Sequence, residues 1–128
     1  MATFHIVIAD GDSRIGELLR RTVAVCLPGV RITVVADGQA ALDICASQRV
    51  DLLLTDYLMP KLDGIDLART LRACGKRLLI VLISSVSVDR AVVDACGVDL
   101  YIAKPWSMAD LGRLLDRARL LIHQQQMR

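Results

Sequence analysis

Asp10, Asp12, Asp56, Ser84 and Lys104 are the residues of this chain whose types could do chemistry together. Each stands at or just beyond the end of a short apolar run. Asp10 and Asp12 follow HIVIA (5–9), Asp56 follows DLLLT (51–55), Ser84 closes LLIVLIS (78–84) and Lys104 follows LYIA (100–103). A carboxylate in such a position can attack phosphorus and carry a phosphoryl group as an acyl phosphate. Phosphoryl transfer then asks the protein mainly for positioning and charge neutralisation. A lysine ammonium can neutralise one phosphoryl oxygen, a serine hydroxyl can donate to another, and Mg²⁺ can bridge to nearby carboxylates. Any one of these residues alone reads as an ordinary solvated loop position. The set, in the order acid, acid, hydroxyl, lysine, points to phosphoryl chemistry.

These side chains converge only if the apolar runs are strands of one sheet. The runs, together with RITVV (31–35), are mostly continuous rather than alternating, as expected for strands covered on both faces. Helical stripes separate them. Ile15, Leu18, Leu19, Thr22, Val23 and Cys26 make one, and Leu111, Leu114, Leu115, Ala118 and Ile122 another. Ser13, Asp37, Asp63 and Ser87 are the expected N-caps, and Pro28-Gly29, Gly75 and Gly97 the expected stops. Strand and helix repeated five times imply a doubly wound α/β fold, a five-stranded parallel sheet with helices on both faces. Ligands of such sheets bind beyond the carboxyl ends of the strands, which is where the acids, the hydroxyl and the lysine fall.

Composition sets the outer bounds. The 128 residues suit one domain over 1–128, with no output domain expected after the fifth helix. Hydrophobic residues at 54% and charged residues at 23% describe a globular chain and not a disordered one. A formal charge of +2 is too small to imply nucleic-acid binding, and Arg69, Arg72, Lys76 and Arg77 near the third helix read as a solvated face. The longest apolar run, Leu78 to Ile83, is far short of the roughly 20 residues of a membrane span. With no signal-peptide pattern at the start, a cytoplasmic location is expected. Cys26, Cys45, Cys74 and Cys96 show no metal or disulfide spacing and read as small buried hydrophobes near helix ends. His123 to Arg128 reads as a polar tail.

Three segments give the chain a family likeness: TDYLMPKLDGIDL (55–67), LLIVLISS (78–85) and YIAKPW (101–106). Together they resemble the receiver domain of bacterial two-component response regulators, over essentially the whole chain. The resemblance implies the flavodoxin-like strand order 2-1-3-4-5 and a cis peptide between Lys104 and Pro105. It implies Asp56 as phosphoacceptor, Ser84 as the phosphate-sensing hydroxyl, Lys104 as the site lysine and Tyr101 as the switch aromatic. A sensor histidine kinase, a phosphotransfer protein or a small phosphodonor would phosphorylate Asp56. Ser84 would swing toward the phosphate and Tyr101 would turn into the space it leaves. The surface of the fourth helix, fifth strand and fifth helix would then change its affinity for a downstream protein or a second copy of the chain, with Arg113 and Arg117 available to that surface. The bland alternative for Tyr101 is a half-buried aromatic at a strand edge. In this reading the chain is no enzyme beyond self-phosphorylation and autodephosphorylation, and touches neither nucleic acid nor membrane directly.

One position departs from the pattern. Receivers usually carry two adjacent acids after the first strand, the second binding Mg²⁺ directly; here Asp10 fills the first place and Gly11 the second. The implied metal set is Asp10, Asp56 and the backbone carbonyl of Leu58. Water could fill the missing place, with weaker affinity, or glycine at positive φ could bring Asp12 inward. The site could also do without metal, leaving a phosphorylation-independent docking module, or Gly11 could be only a turn residue. Leu58 cannot orient a hydrolytic water by hydrogen bonding, so slow decay of a phosphoaspartate is expected. Two rivals explain less. The Asp10-Gly11-Asp12 triplet also resembles the nucleophile motif of haloacid-dehalogenase-like phosphatases, but only helical Asp110 and Asp116 follow the lysine, and Asp56 is left without a role. A flavodoxin-like cofactor binder would need a Ser/Thr/Gly-rich phosphate loop and more aromatic residues.

Overall fold

Apolar runs this continuous need cover on both faces, and the chain supplies it with helices after every strand. In a computed structural model, residues 4–127 are described. The elements are β1 (His5–Ala9), α1 (Ser13–Cys26), β2 (Arg31–Val35), α2 (Gly38–Ser47), β3 (Leu52–Asp56), α3 (Gly64–Ala73), β4 (Leu79–Ser84), α4 (Arg90–Ala95), β5 (Leu100–Ala103) and α5 (Met108–Gln126). The strands form one parallel sheet in the order β2-β1-β3-β4-β5, as the resemblance implied. Its inner strands β1, β3 and β4 are buried almost throughout, whereas the edge strands β2 and β5 alternate with exposed positions.

Successive side chains of a strand point to opposite faces, so each inner strand feeds two cores. Ile6, Ile8, Leu52, Leu54, Leu79 and Val81 pack with Leu19 and Val23 of α1 and Leu111 and Leu115 of α5. Val7, Leu53 and Ile80 pack on the other face with Ala41 and Cys45 of α2 and Leu67 and Leu71 of α3. Each fully buried Leu or Ile contributes roughly 1.5–3 kcal/mol. His5, the polar opening residue of β1, is buried with its ring Nε2 2.8 Å from Thr33 Oγ1 and Nδ1 3.3 Å from the Arg49 carbonyl.

The helix signals hold with local shifts. Asp37 and Asp63 cap α2 and α3, accepting from the N–H groups of Ala40 and Asp66 at 2.8 Å. The caps of α1 and α4 are Asp12 and Asp89 rather than Ser13 and Ser87. Asp12 already reaches the Arg14 N–H at 2.9 Å and Asp89 the Ala91 N–H at 2.8 Å, so Ser13 becomes the first helical residue and Ser87 stays in the preceding loop. Gly29, Gly75 and Gly97 follow their helices with positive φ, the left-handed backbone a helix stop favours. α5 runs on through Gln126, so most of the expected polar tail is helical: with no Gly or Pro after Ile122, nothing stops it. Arg128 lies outside the described residues. Cys45 and Cys96 are buried as expected, and burial pushes the Cys45 thiol up to about 12; Cys74 instead is exposed, at the C-cap of α3 where the helix turns outward. Leu18, expected in the α1 stripe, is also exposed. Among the described residues no helix is long and apolar enough to cross a membrane.

Arg72 is not part of a solvated face. Its guanidinium donates to the carbonyls of Gly97 at 3.0 Å, Lys76 at 3.0 Å and Leu78 at 2.7 Å, and to Asp99 Oδ2 at 2.7 Å. Asp99 in turn accepts the Ile80 N–H at 2.8 Å. One side chain thus ties the end of α3 to β4 and to the turn before β5. Arg72→Ala is expected to cost about 1.5 kcal/mol in urea denaturation, because several half-buried carbonyls lose a charged donor at once. A change within a few tenths of a kcal/mol would mean that water replaces the guanidinium without loss.

Candidate functional site

Parallel pairing aligns the carboxyl ends of the strands, and with them the residues singled out by type. Ala9 stands opposite Thr55, Asp56 opposite Ile83, and Ser84 opposite Ala103. The residues at or beyond those positions, Asp10, Asp56, Ser84 and Lys104, share one edge. Lys104 is anchored there by its own N–H, which donates to the Ser84 carbonyl at 2.7 Å.

From that anchor the lysine reaches back across the sheet. Its Nζ lies 3.2 Å from Asp10 Oδ2 and 3.4 Å from Asp56 Oδ1, so one ammonium bridges two carboxylates. The second oxygen of Asp10 accepts the Asp12 N–H at 2.8 Å, and Asp56 Oδ1 also accepts the Tyr57 N–H at 2.9 Å. Asp10 is buried, with 2% of its surface exposed, so its charge depends on these partners. Burial, and then the charge of Asp10, hold the Asp56 carboxyl above the usual range, while Lys104 and the Tyr57 N–H pull it back down. Gly64 backs the strand end: a Cβ there would lie 2.3 Å from the Asp56 carbonyl oxygen, so only glycine lets α3 start this close. Its N–H donates to the Tyr57 carbonyl at 2.7 Å.

Ser84 is on the edge but faces another way. Its hydroxyl donates to the Val86 carbonyl at 2.7 Å and accepts the Val86 N–H at 3.1 Å. Tyr101 is 38% exposed, and its hydroxyl donates to the same Val86 carbonyl at 3.5 Å. A backbone group of the loop after β4 therefore joins the two, and no side-chain pattern in the sequence announces it. Asp12 is exposed and spends its carboxylate on the start of α1, where the Arg14 N–H above all holds its carboxyl below the usual carboxylate range. Leu58 sits in the loop after β3 with its side chain exposed. The Lys104–Pro105 bond is cis, as the resemblance implied.

A model of the response regulator receiver domain matches residues 6–116. The chain belongs to that family. Receivers of this family serve two-component signalling and meet histidine kinases or phosphotransfer proteins. Among curated relatives, the response regulator MprA of Mycolicibacterium vanbaalenii is 37% identical over 121 residues, covering 92% of this receiver and 50% of the relative. MprA of Mycobacterium tuberculosis is 38% identical over the same span. The receiver thus spans about half the length of the curated relatives it matches. Of solved structures, the receiver domain of a Francisella response regulator has a TM-score of 0.82 at 26% identity, with 96% of this chain and 99% of that one covered. The receiver domain of a sensor histidine kinase from Pseudomonas aeruginosa, with magnesium in its active-site cleft, has 0.78 at 31%, with 91% and 97% covered.

Gly11 does not adopt the left-handed φ that the inward turn of Asp12 required, and Asp12 stays at the helix cap. A Cβ at position 11 would meet Pro60 Cδ at 3.3 Å, a tight contact with the loop after β3. Glycine here gives Pro60 room rather than making a turn. Among the described residues no group of three or more acidic, His or Cys side chains gathers around one point. The donors that do gather, two carboxylates, are hard oxygens of the kind Mg²⁺ takes one or two at a time while keeping several waters. They fit the ion, with fewer protein ligands than a pair of acids after β1 would give.

Proposed function

We propose that this receiver is a phosphorylation-dependent switch whose phosphoacceptor is Asp56. The observation that carries the reading is the bridge from Lys104 to both Asp10 and Asp56, which puts a cation beside the one acid at a strand end that is partly open to solvent. An oxygen of Asp56 attacks the donor's phosphorus. The bond to the donor, a phosphohistidine nitrogen of a sensor kinase or phosphotransfer protein or the oxygen of a small acyl phosphate, breaks, and its electron pair leaves with the donor. Lys104 offsets charge on the transferred group, and Asp10 keeps Lys104 in place. Asp10, Asp56 and the Leu58 carbonyl would hold Mg²⁺, which supplies further charge neutralisation for the phosphoryl oxygens.

The readout follows from Val86. Turning the Ser84 hydroxyl toward a phosphoryl oxygen breaks its bond to the Val86 carbonyl, the same atom that holds Tyr101 outward. The loop and Tyr101 are then released together, and the surface of α4, β5 and α5 changes for a downstream protein or a second copy. In this reading residues 1–128 act as one unit, in the cytoplasm, by protein contact.

The test is intact-mass spectrometry after incubation with acetyl phosphate, with and without Mg²⁺. One phosphoryl adduct that requires Mg²⁺ and is lost in Asp56→Asn is expected. Absence of an adduct from the folded protein under both conditions would favour the phosphorylation-independent docking module, the reading that the missing acid at Gly11 supports. An adduct retained in Asp56→Asn and mapping to Asp10 would favour the phosphatase-like one.

A further inference from the structure

The edge of the sheet opposite Asp56 carries a second cleft, of about 550 Å³, within the range of small-molecule sites. It opens where β3 and β4 begin, between the ends of α2, α3 and α5. Buried Cys45, Val50, Leu78 and Ile122 give it an apolar floor. Arg49, Lys76 and Arg77 bring three cations to its wall, against one carboxylate, Asp51. That carboxylate is already engaged: Oδ2 accepts the His5 N–H at 2.9 Å, and Oδ1 lies 3.8 Å from Arg49 Nε. Among the described residues neither Lys76 nor Arg77 pairs with a carboxylate.

Basic residues after a helix often only balance the carbonyls left open at its end. At the end of α3 most of those carbonyls have other partners. The Cys74, Gly75 and Lys76 N–H groups take Thr70, Arg72 and Leu71, while at the end of α2 the Gln48 N–H takes Ile44. Lys76 and Arg77 therefore carry more charge than the end of α3 calls for. With Gln48 and Gln125 at the rim, they face a pocket with an apolar base and surplus positive charge.

We propose that this cleft binds a small phosphorylated molecule with a flat apolar portion, of the nucleotide class, its phosphates on Arg49, Lys76 and Arg77 and its apolar part on Val50, Leu78 and Ile122. The site is independent of phosphoryl transfer at Asp56, and lies at the sheet edge that the ends of α2, α3 and α5 line together.

The test is an amide NMR titration of the whole chain with ADP, without Mg²⁺ and at constant ionic strength, with inorganic pyrophosphate and adenosine as separate arms. Saturable shifts with ADP are expected at residues 48–51, 76–78 and 122–126, with pyrophosphate weaker and adenosine weaker still. Binding is expected to fall about tenfold or more in Lys76→Glu/Arg77→Glu and to a smaller degree in Arg77→Glu alone, an exposed position that leaves the fold intact. Asp56→Asn is expected to bind as wild type does, so loss of the phosphoacceptor reading would not remove this one. Shifts that never saturate, that persist unchanged in the charge-reversed variants, or that gather at Asp10, Asp56 and Lys104 would overturn the proposal. So would adenosine binding as tightly as ADP.

Discussion

Replacing Lys104 with methionine is expected to lower stability at pH 7 by about 3 kcal/mol, and acid is expected to restore part of the loss relative to wild type. Methionine keeps most of the stem and removes the ammonium that bridges Asp10 and Asp56. Asp10 would then hold a buried charge with only the Asp12 N–H as a hydrogen-bond donor. The sign of the pH effect follows from Asp56, whose carboxyl stands above its ordinary value of 3.8 through burial and the nearby Asp10. A raised carboxyl binds its proton more tightly in the folded protein. Stability from this group therefore falls as pH rises from the ordinary value through the raised one, and the full cost is present above it. Without Lys104, the interaction that opposes the rise is gone, so the window extends further upward. Urea denaturation of both proteins at pH 7 and near pH 4 reads the difference directly, since the other carboxylates respond alike in each. Asp56→Asn should recover part of the loss in the Lys104→Met background and should stabilise the wild type at pH 7, because it removes a carboxylate that burial and Asp10 disfavour. Equal stability of Lys104→Met and wild type at pH 7 would show that the bridge contributes nothing.

Restoring the missing acid is the second large effect. Gly11→Asp is expected to tighten Mg²⁺ binding ten- to a hundredfold, about 2 kcal/mol, by adding a carboxylate to a site that now offers two. The backbone permits it, because Gly11 has no left-handed φ to preserve and Pro60 need yield only a few tenths of an ångström. The same change should lower stability without metal, since a third negative charge joins Asp10 and Asp56, and should regain it in millimolar Mg²⁺. Those opposite signs distinguish a metal ligand from a merely tolerated substitution. Titration calorimetry gives the affinity, and the fluorescence of Trp106, the only tryptophan and two residues past Lys104, gives an independent readout. Unchanged affinity would mean that position 11 does not reach the metal.

The strands were legible because short apolar runs between turn signals mark them, whether buried on both faces as β1, β3 and β4 are or standing at an edge as β2 and β5 do. RITVV and LYIA match β2 and β5 at both ends, and DLLLT is displaced from β3 by one residue. Once parallel order is granted, the edge that gathers Asp10, Asp56, Ser84 and Lys104 follows from the strand ends alone. What stayed hidden depends on contacts between distant segments or on backbone atoms. Arg72 looks like any surface arginine until Gly97, Leu78 and Asp99 close around it. The Val86 carbonyl that joins Ser84 to Tyr101 has no residue type to reveal it. Gly11 carries chemical meaning by what it lacks, and its tight approach to Pro60 is set by a loop far along the chain. The choice between Ser13 and Asp12 as cap turned on one residue of phase, which hydrophobic spacing does not resolve.

The strand order also governs how the molecule comes to be. β1 lies inside the sheet, yet His5 pairs with Arg31 on one side and Ile6 with Leu52 on the other. No neighbouring pair is a hairpin; every one closes a long loop that contains a helix. The entropy of those closures must be met before the contacts that reward them exist. A half-built sheet of β1 and β2 would present HIVIA as an open apolar edge, a template for any strand that arrives. β3 both covers that edge and carries Asp56 on its last residue. The step that protects the nascent chain from mispairing is therefore the same step that brings Asp56 alongside Asp10.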